Sequence, residues 1–238
     1  MIKGFGKTPR RRSAALRQQT GMIPIVFAGV SDPVGQGFVQ TLARSGGNIT
    51  GFSVSDAPLT GKWLQLLKEL APAVTRVAVI FNPNTMLLAQ MYTRAIEVAA
   101  ASVGMTVTLA PVHDDAGIEQ AIAAAAREPG SGLISLPEPF SNTHRCAIIA
   151  AAARHGSPLI GPPPSVRAGG LMSYWVDMVE LHAQRASYID RILRGASPAD
   201  LPVQQPTKYS LILNLKTAET LGLIIPQTIL ALADEVIE

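Results

Sequence analysis

The chain is poor in several things at once. It has one cysteine in 238 residues, aromatic residues make up only 5%, and charged residues only 16%. A single cysteine, Cys146, excludes an intramolecular disulfide, and no CxxC or His–Cys spacing accompanies it to suggest a metal site. It lies in the helix-like stretch 145–153, where a small buried residue is the expectation. No run of 18 apolar residues exists, so no transmembrane helix is predicted. The motifs of phosphate-binding and acyl-transfer enzymes are missing too. Gly35-Gln36-Gly37 lacks the third glycine of a dinucleotide loop, and neither GxxxxGK[ST] nor GxSxG occurs. His113, His144, His155 and His182 are scattered without metal-ligand spacing, and for His144 and His155, on a helix and at its end, surface placement is the simplest account. The reading is therefore of a binding protein with no catalytic residue, no metal and no cofactor.

What the chain does have is apolar mass, 47% of residues, with a mean hydropathy of +0.25. That composition buries a substantial core and argues against disorder. Charge is unevenly placed. Lys3, Lys7, Arg10, Arg11, Arg12 and Arg17 fall in the first 17 residues with no acid among them, leaving the rest at net −3. A basic arm of this kind suits an anionic surface, but no basic stripe with interleaved aromatics follows it, so no nucleic-acid partner is expected. Its apolar segment, Ala14-Ala15-Leu16, is too short for a signal peptide.

Beyond Met22, apolar runs alternate with helical patterns. Strands are predicted at 23–28, 49–54, 76–81, 106–111, 132–136, 158–161 and 171–174. Helices are predicted at 35–43, 62–70, 88–102, after the capping pair Asp114-Asp115, at 142–154 and at 178–194. Apolar strands separated by helices imply an α/β fold with parallel sheets covered on both faces. The segments 53–61 and 195–206, rich in Gly, Ser, Asp and Pro, read as crossings between two domains.

Ligands of open parallel sheets sit beyond the carboxyl ends of the strands. Those loops carry Ser31-Asp32-Pro33, Asn82-Pro83-Asn84-Thr85, Pro137-Glu138-Pro139 and Tyr174-Trp175-Val176-Asp177. Each has a plainer reading: Asp32 as a helix cap, the asparagines as turn formers, Glu138 as a solvated carboxylate, and the aromatics as core.

Several long motifs carry a family resemblance. They are 23–34 with Gly46-Gly47-Asn48-Ile49-Thr50-Gly51, 76–83, Ala168 to Tyr174, Leu201 to Lys208, and 214–223. The chain resembles the substrate-binding proteins of ABC transporters of the tryptophan/tyrosine type, over about residues 20–238. The resemblance implies a type I periplasmic-binding-protein-like fold: two doubly wound parallel-sheet lobes with a hinge. It also implies a small-molecule ligand such as an amino acid, an ABC permease as partner, and a periplasmic location. Residues 1–55 with 178–200 would form the first lobe, with 1–20 as the basic arm, and residues 56–177 with 201–238 the second. Ligand contacts would come from Ser31, Asp32 and Pro33 of the first lobe and from Asn82, Thr85, Pro137, Tyr174 and Asp177 of the second. The family pattern has further strands and a signal sequence before Ile23. The expectation is thus an incomplete, labile first lobe open to self-association, and a cytoplasmic chain if Met1 is the true start. A doubly wound enzyme acting on a nucleotide or sugar, and a non-functional remnant, are the rival readings. Trp175 stands where the family usually has glycine.

Overall fold

The computed structural model describes residues 15–16, 18–54, 57–86 and 88–238. The basic arm expected over 1–20 lies largely outside them. The chain forms two compact units. One takes the chain up to residue 56 together with Val176–Tyr209, and the other takes Ala57–Trp175 with Ser210–Glu238. The backbone therefore crosses between units three times, at 56/57, 175/176 and 209/210, where the sequence reading puts its lobe boundaries at 55/56, 177/178 and 200/201.

In the first unit, β1 (Ile25–Ser31) pairs in parallel with β2 (Ile49–Val54). The register slips between Ala28 and Val30, where Gly29 takes a φ of +74°. Gly51 has no room for a side chain: a Cβ there would meet the Phe27 carbonyl oxygen at 2.2 Å. On one face Ile25, Phe27, Val30 and Ile49 pack with Phe38, Val39 and Val203. Phe52 instead meets the ring of Tyr188, which belongs to a 16-residue helix at Met178–Leu193.

The helix expected over 35–43 does not form. After one turn, closed by Gln36 N–H to the Asp32 carbonyl at 3.0 Å, Gly37 swings to φ +69° and the chain leaves helical geometry. Residues 201–204, assigned by sequence to the second lobe, return to this unit instead. Thr50 Oγ1 donates to the Leu201 carbonyl at 2.8 Å, Gln204 N–H to Gly51 at 3.0 Å, and Ser53 N–H to Gln204 at 2.8 Å.

The second unit is built on a seven-stranded sheet: β3 (Arg76–Phe81), β4 (Thr106–Pro111), β5 (Ser131–Ser135), β6 (Leu159–Ile160), β7 (Met172–Val176), β8 (Tyr209–Asn214) and β9 (Glu235–Ile237). Their spatial order is β4-β3-β5-β6-β7-β8-β9. β4, β3, β5, β6 and β7 run parallel, as do β8 and β9. Strands β7 and β8 each straddle a crossing.

The helices in chain order are α1 (Ala57–Leu70), α2 (Ala89–Ser102), α3 (Asp115–Ala126), α4 (Pro139–Thr143), α5 (Arg145–Arg154), α6 (Pro163–Arg167), α7 (Met178–Leu193, in the first unit), α8 (Leu215–Thr220) and α9 (Gln227–Leu230). Helix α1 fully buries Leu64, Leu67 and Leu70, three residues apart, on one stripe. Each contributes about 1.5–3 kcal/mol by leaving water. Asp114 caps α3 as the sequence suggests, its Oδ1 accepting from Gly117 N–H at 2.7 Å.

Ala78, Ile80 and Leu133 join Ile118, Ile122, Ile148 and Leu159 in one core layer. Their neighbours Val77, Val79 and Ile134 are equally buried, so both faces of β3 and β5 are covered. Edge strand β4 departs from that pattern, with Thr106, Thr108, Leu109 and Pro111 exposed. Cys146 is exposed as well, because α5 spends its apolar stripe on Ile148, Ile149, Ala151 and Ala152. His144 and His155 are half-buried rather than free on the surface, since Asp115 and Glu119 of α3 hold them at 2.6 and 2.9 Å.

Candidate functional site

The carboxyl ends of β3 and β5 are neighbours in the sheet, so their loops emerge side by side. Glu138, for which the sequence leaves a solvated and a functional role equally open, is buried between them at 5% exposure. Its Oε1 accepts from Asn82 N–H at 3.0 Å and from Ser141 Oγ at 3.3 Å. Its Oε2 accepts from Phe140 N–H at 3.1 Å and from the Thr85 hydroxyl. Four donors satisfy a buried charge that would otherwise be costly. A carboxylate so occupied orders the loops; it is not free to act as a base or to hold an ammonium group.

The local sequence explains the arrangement. Pro139 starts α4 at a position where its missing N–H costs nothing, and extended Glu138 becomes the cap. In the other loop Asn82 Oδ1 accepts from Asn84 N–H at 2.9 Å, closing a turn, while Thr85 N–H and Met86 N–H return to the Asn82 carbonyl.

Further along the same edge, β7 delivers Tyr174 and Trp175, both half-buried. Trp63 of α1 is buried, and its indole N–H donates to the Tyr174 carbonyl at 2.8 Å. The Trp63 and Trp175 rings lie nearly parallel, 17° apart, with centroids 5.9 Å from one another. Burial, then the negative charge of Asp234, pushes the Tyr174 phenol above the ordinary tyrosine value, so it stays protonated at neutral pH. The next residue back, Ser173, is fully buried and its hydroxyl has no partner among the described residues.

In the first unit, β1 runs into Ser31-Asp32-Pro33. Asp32 takes a left-handed φ of 45°, and its Oδ1 accepts from Gly35 N–H at 2.9 Å. Pro33 is buried and Asp32 exposed. Asp177 caps α7, with Oδ1 accepting from Val179 N–H at 2.9 Å and Glu180 N–H at 3.1 Å. Its Oδ2 pairs with Lys208 Nζ at 3.0 Å. The Glu180 N–H, then Lys208, holds this carboxyl below its ordinary value.

Comparison with known proteins decides the family. The sequence profile of the ABC transporter substrate binding proteins matches residues 7–237. The chain belongs to that family. Among curated proteins it is 26% identical over 211 residues to a tyrosine-binding protein of Clostridioides difficile (strain R20291), a match covering 84% of this chain. The chain spans 57% of that relative's length. Among solved structures it matches a conserved domain protein of Vibrio cholerae with TM-score 0.83 and 30% identity, covering 95% of this chain and 75% of that one. An ABC domain from Streptococcus pneumonia in complex with L-Trp matches with TM-score 0.84 and 24% identity, over 95% and 76% of the two chains. The periplasmic-binding-protein-like α/β fold is the one the resemblance implied.

For this substrate-binding family member, the structure gathers Asn82, Thr85 and Pro137 around Glu138, and sets Tyr174 on the same sheet edge. Ser31, Asp32 and Pro33 share one turn of the first unit. Asp177 falls in the first unit, not the second as expected, with both oxygens engaged. Sequence reasoning left two residues out of the candidate set. Glu138 could have been found as the residue before a helix-starting proline. Trp63 was hidden inside an ordinary amphipathic stripe.

Proposed function

We propose that this chain is the solute-binding component of an ABC importer, taking an amino acid with an aromatic side chain into a cleft between its two lobes. The observation that carries the reading is the strand-end edge of the second unit, where the buried Glu138 fixes two polar loops and β7 brings Tyr174 and Trp175 to the same edge. Two relatives, a tyrosine-binding protein and a structure in complex with L-Trp, support the ligand class. Family membership supports capture and delivery to a permease, outside the cytoplasmic membrane, rather than chemical conversion.

In this reading Asn82, Thr85, Pro137 and Tyr174 meet the ligand from one lobe, and Ser31, Asp32 and Pro33 from the other. A ligand that touches both lobes favours the closed state over the open one, which is how binding drives closure. Asp32 is the better partner for an ammonium group, because among the described residues only its Oδ1 is engaged, whereas both oxygens of Asp177 are taken.

Calorimetry with the twenty amino acids tests the proposal. Saturable one-to-one binding of L-tyrosine or L-tryptophan is expected, weakened about tenfold or more by Asp32→Asn through loss of a charge-assisted hydrogen bond. Absence of heat with every amino acid would overturn it.

A further inference from the structure

The chain holds only two tryptophans, and they lie on each other. Trp63 is 3% exposed and pinned through its indole N–H to the Tyr174 carbonyl. Trp175 is different. It is only half-buried, and its own indole N–H has no hydrogen-bond partner among the described residues. One ring is thus anchored in the unit's interior, and it holds the second where that ring is reachable from outside. The second ring sits at the carboxyl end of β7, which lies between β6 and β8 inside the sheet. A pair serving only to fill the core would bury both rings, as α1 buries Leu64 and Leu67.

We infer that Trp175, buttressed by Trp63, is the specificity-determining platform on which the aromatic ring of the ligand stacks. The inference rests on the aromatic-amino-acid reading above and names the residue that enforces it. A flat, polarisable surface favours another flat ring over an aliphatic side chain of similar area, since offset stacking adds attraction beyond burial. The buttress supplies preorganisation: the platform has already lost its rotamer freedom before ligand arrives, so little is lost on binding. Trp175 acts directly on the ligand, while Trp63 is a positioning residue.

The experiment has two readouts. In the unmodified chain, emission excited at the tryptophan red edge comes only from this pair. L-tyrosine and L-phenylalanine should change it, and L-leucine should not. In parallel, calorimetry compares the unmodified chain with Trp175→Leu, which keeps apolar bulk without a ring, and with Trp63→Phe, which keeps a ring without the N–H donor. Trp175→Leu should weaken L-tyrosine and L-phenylalanine about tenfold while leaving L-leucine unchanged, and Trp63→Phe should weaken them by a smaller factor.

If aromatic amino acids bind but leave the emission untouched, or bind Trp175→Leu as well as the unmodified chain, the platform is wrong and the proposed function stands. If no amino acid binds the unmodified chain, both fall. The emission measurement needs no variant, so poor folding of Trp175→Leu would not shield the inference.

Discussion

The two units solve the same problem with unequal means. The second has seven strands, and Val77 to Phe81 and Gly132 to Ser135 are buried along their whole length between helices. Among its described residues the first has two strands in its sheet, and β2 is completed on its second edge by a short stretch of irregular chain around Gln204. In the second unit the sheet itself carries the core. In the first, α7 and a returning segment supply what neighbouring strands supply elsewhere. Stability in the first unit therefore depends on a few identifiable tethers, and in the second on a continuous apolar layer.

The largest expected effect comes from that layer. Leu133→Ala should destabilise the second unit by about 3 kcal/mol, the usual cost of opening a cavity at a fully buried leucine. Read by hydrogen exchange, β3 and β5 should lose protection while β1 and β2 keep theirs. Equal acceleration in all four strands would show one cooperative block and break the comparison.

Next is Glu138→Leu, which strands the Asn82 and Phe140 amides and should cost about 2 kcal/mol while raising exchange across 82–86. Unchanged exchange there would mean the loops hold themselves.

Thr50→Val removes one tether of the first unit and should cost about 1 kcal/mol, with faster exchange confined to β2 and 201–204. No change in exchange at those residues would show that the returning segment is held by packing alone.

The smallest effect is electrostatic and divides between the units. Asp177 in the first, and Glu119 and Glu235 in the second, titrate below their ordinary values because of the Glu180 N–H, His155 and Arg167 respectively. A carboxyl depressed in the folded state stabilises it above the unfolded pKa and ceases to do so as pH falls through the folded one. Melting temperature should therefore decline below about pH 4. Asp177→Asn should flatten only the first unit's share, and an unaltered acid limb would remove Asp177 from the account.

Much of this is legible in the sequence alone. The strand at 106–111 and the helix at 178–193 follow from apolar periodicity between clear breakers, and those boundaries hold almost to the residue. The helix over 35–43 misleads because its apolar spacing is right while Gly37 ends it after a turn. Residues 209–214 and 235–237 drew no strand assignment, since Tyr209-Ser210 and Asp234-Glu235 break the apolar run. The loops of the candidate site were legible because they follow strands. The partner of each side chain was not, because Glu138 joins residues 53 and 56 positions apart that only the sheet brings together.

The Thr50–Leu201 bond spans 151 positions. A ribosome adding about 5–20 residues per second takes roughly eight to thirty seconds to cover that distance. During that time β1 and β2 have emerged while the segment that closes them has not been made, whereas β3, β4 and β5 find one another within 60 residues of chain. Synthesis thus finishes the second unit's central strands first and leaves the first unit's earliest strands waiting for the latest part of their fold. Slowing translation between 60 and 200 would lengthen that exposure without altering a single native contact.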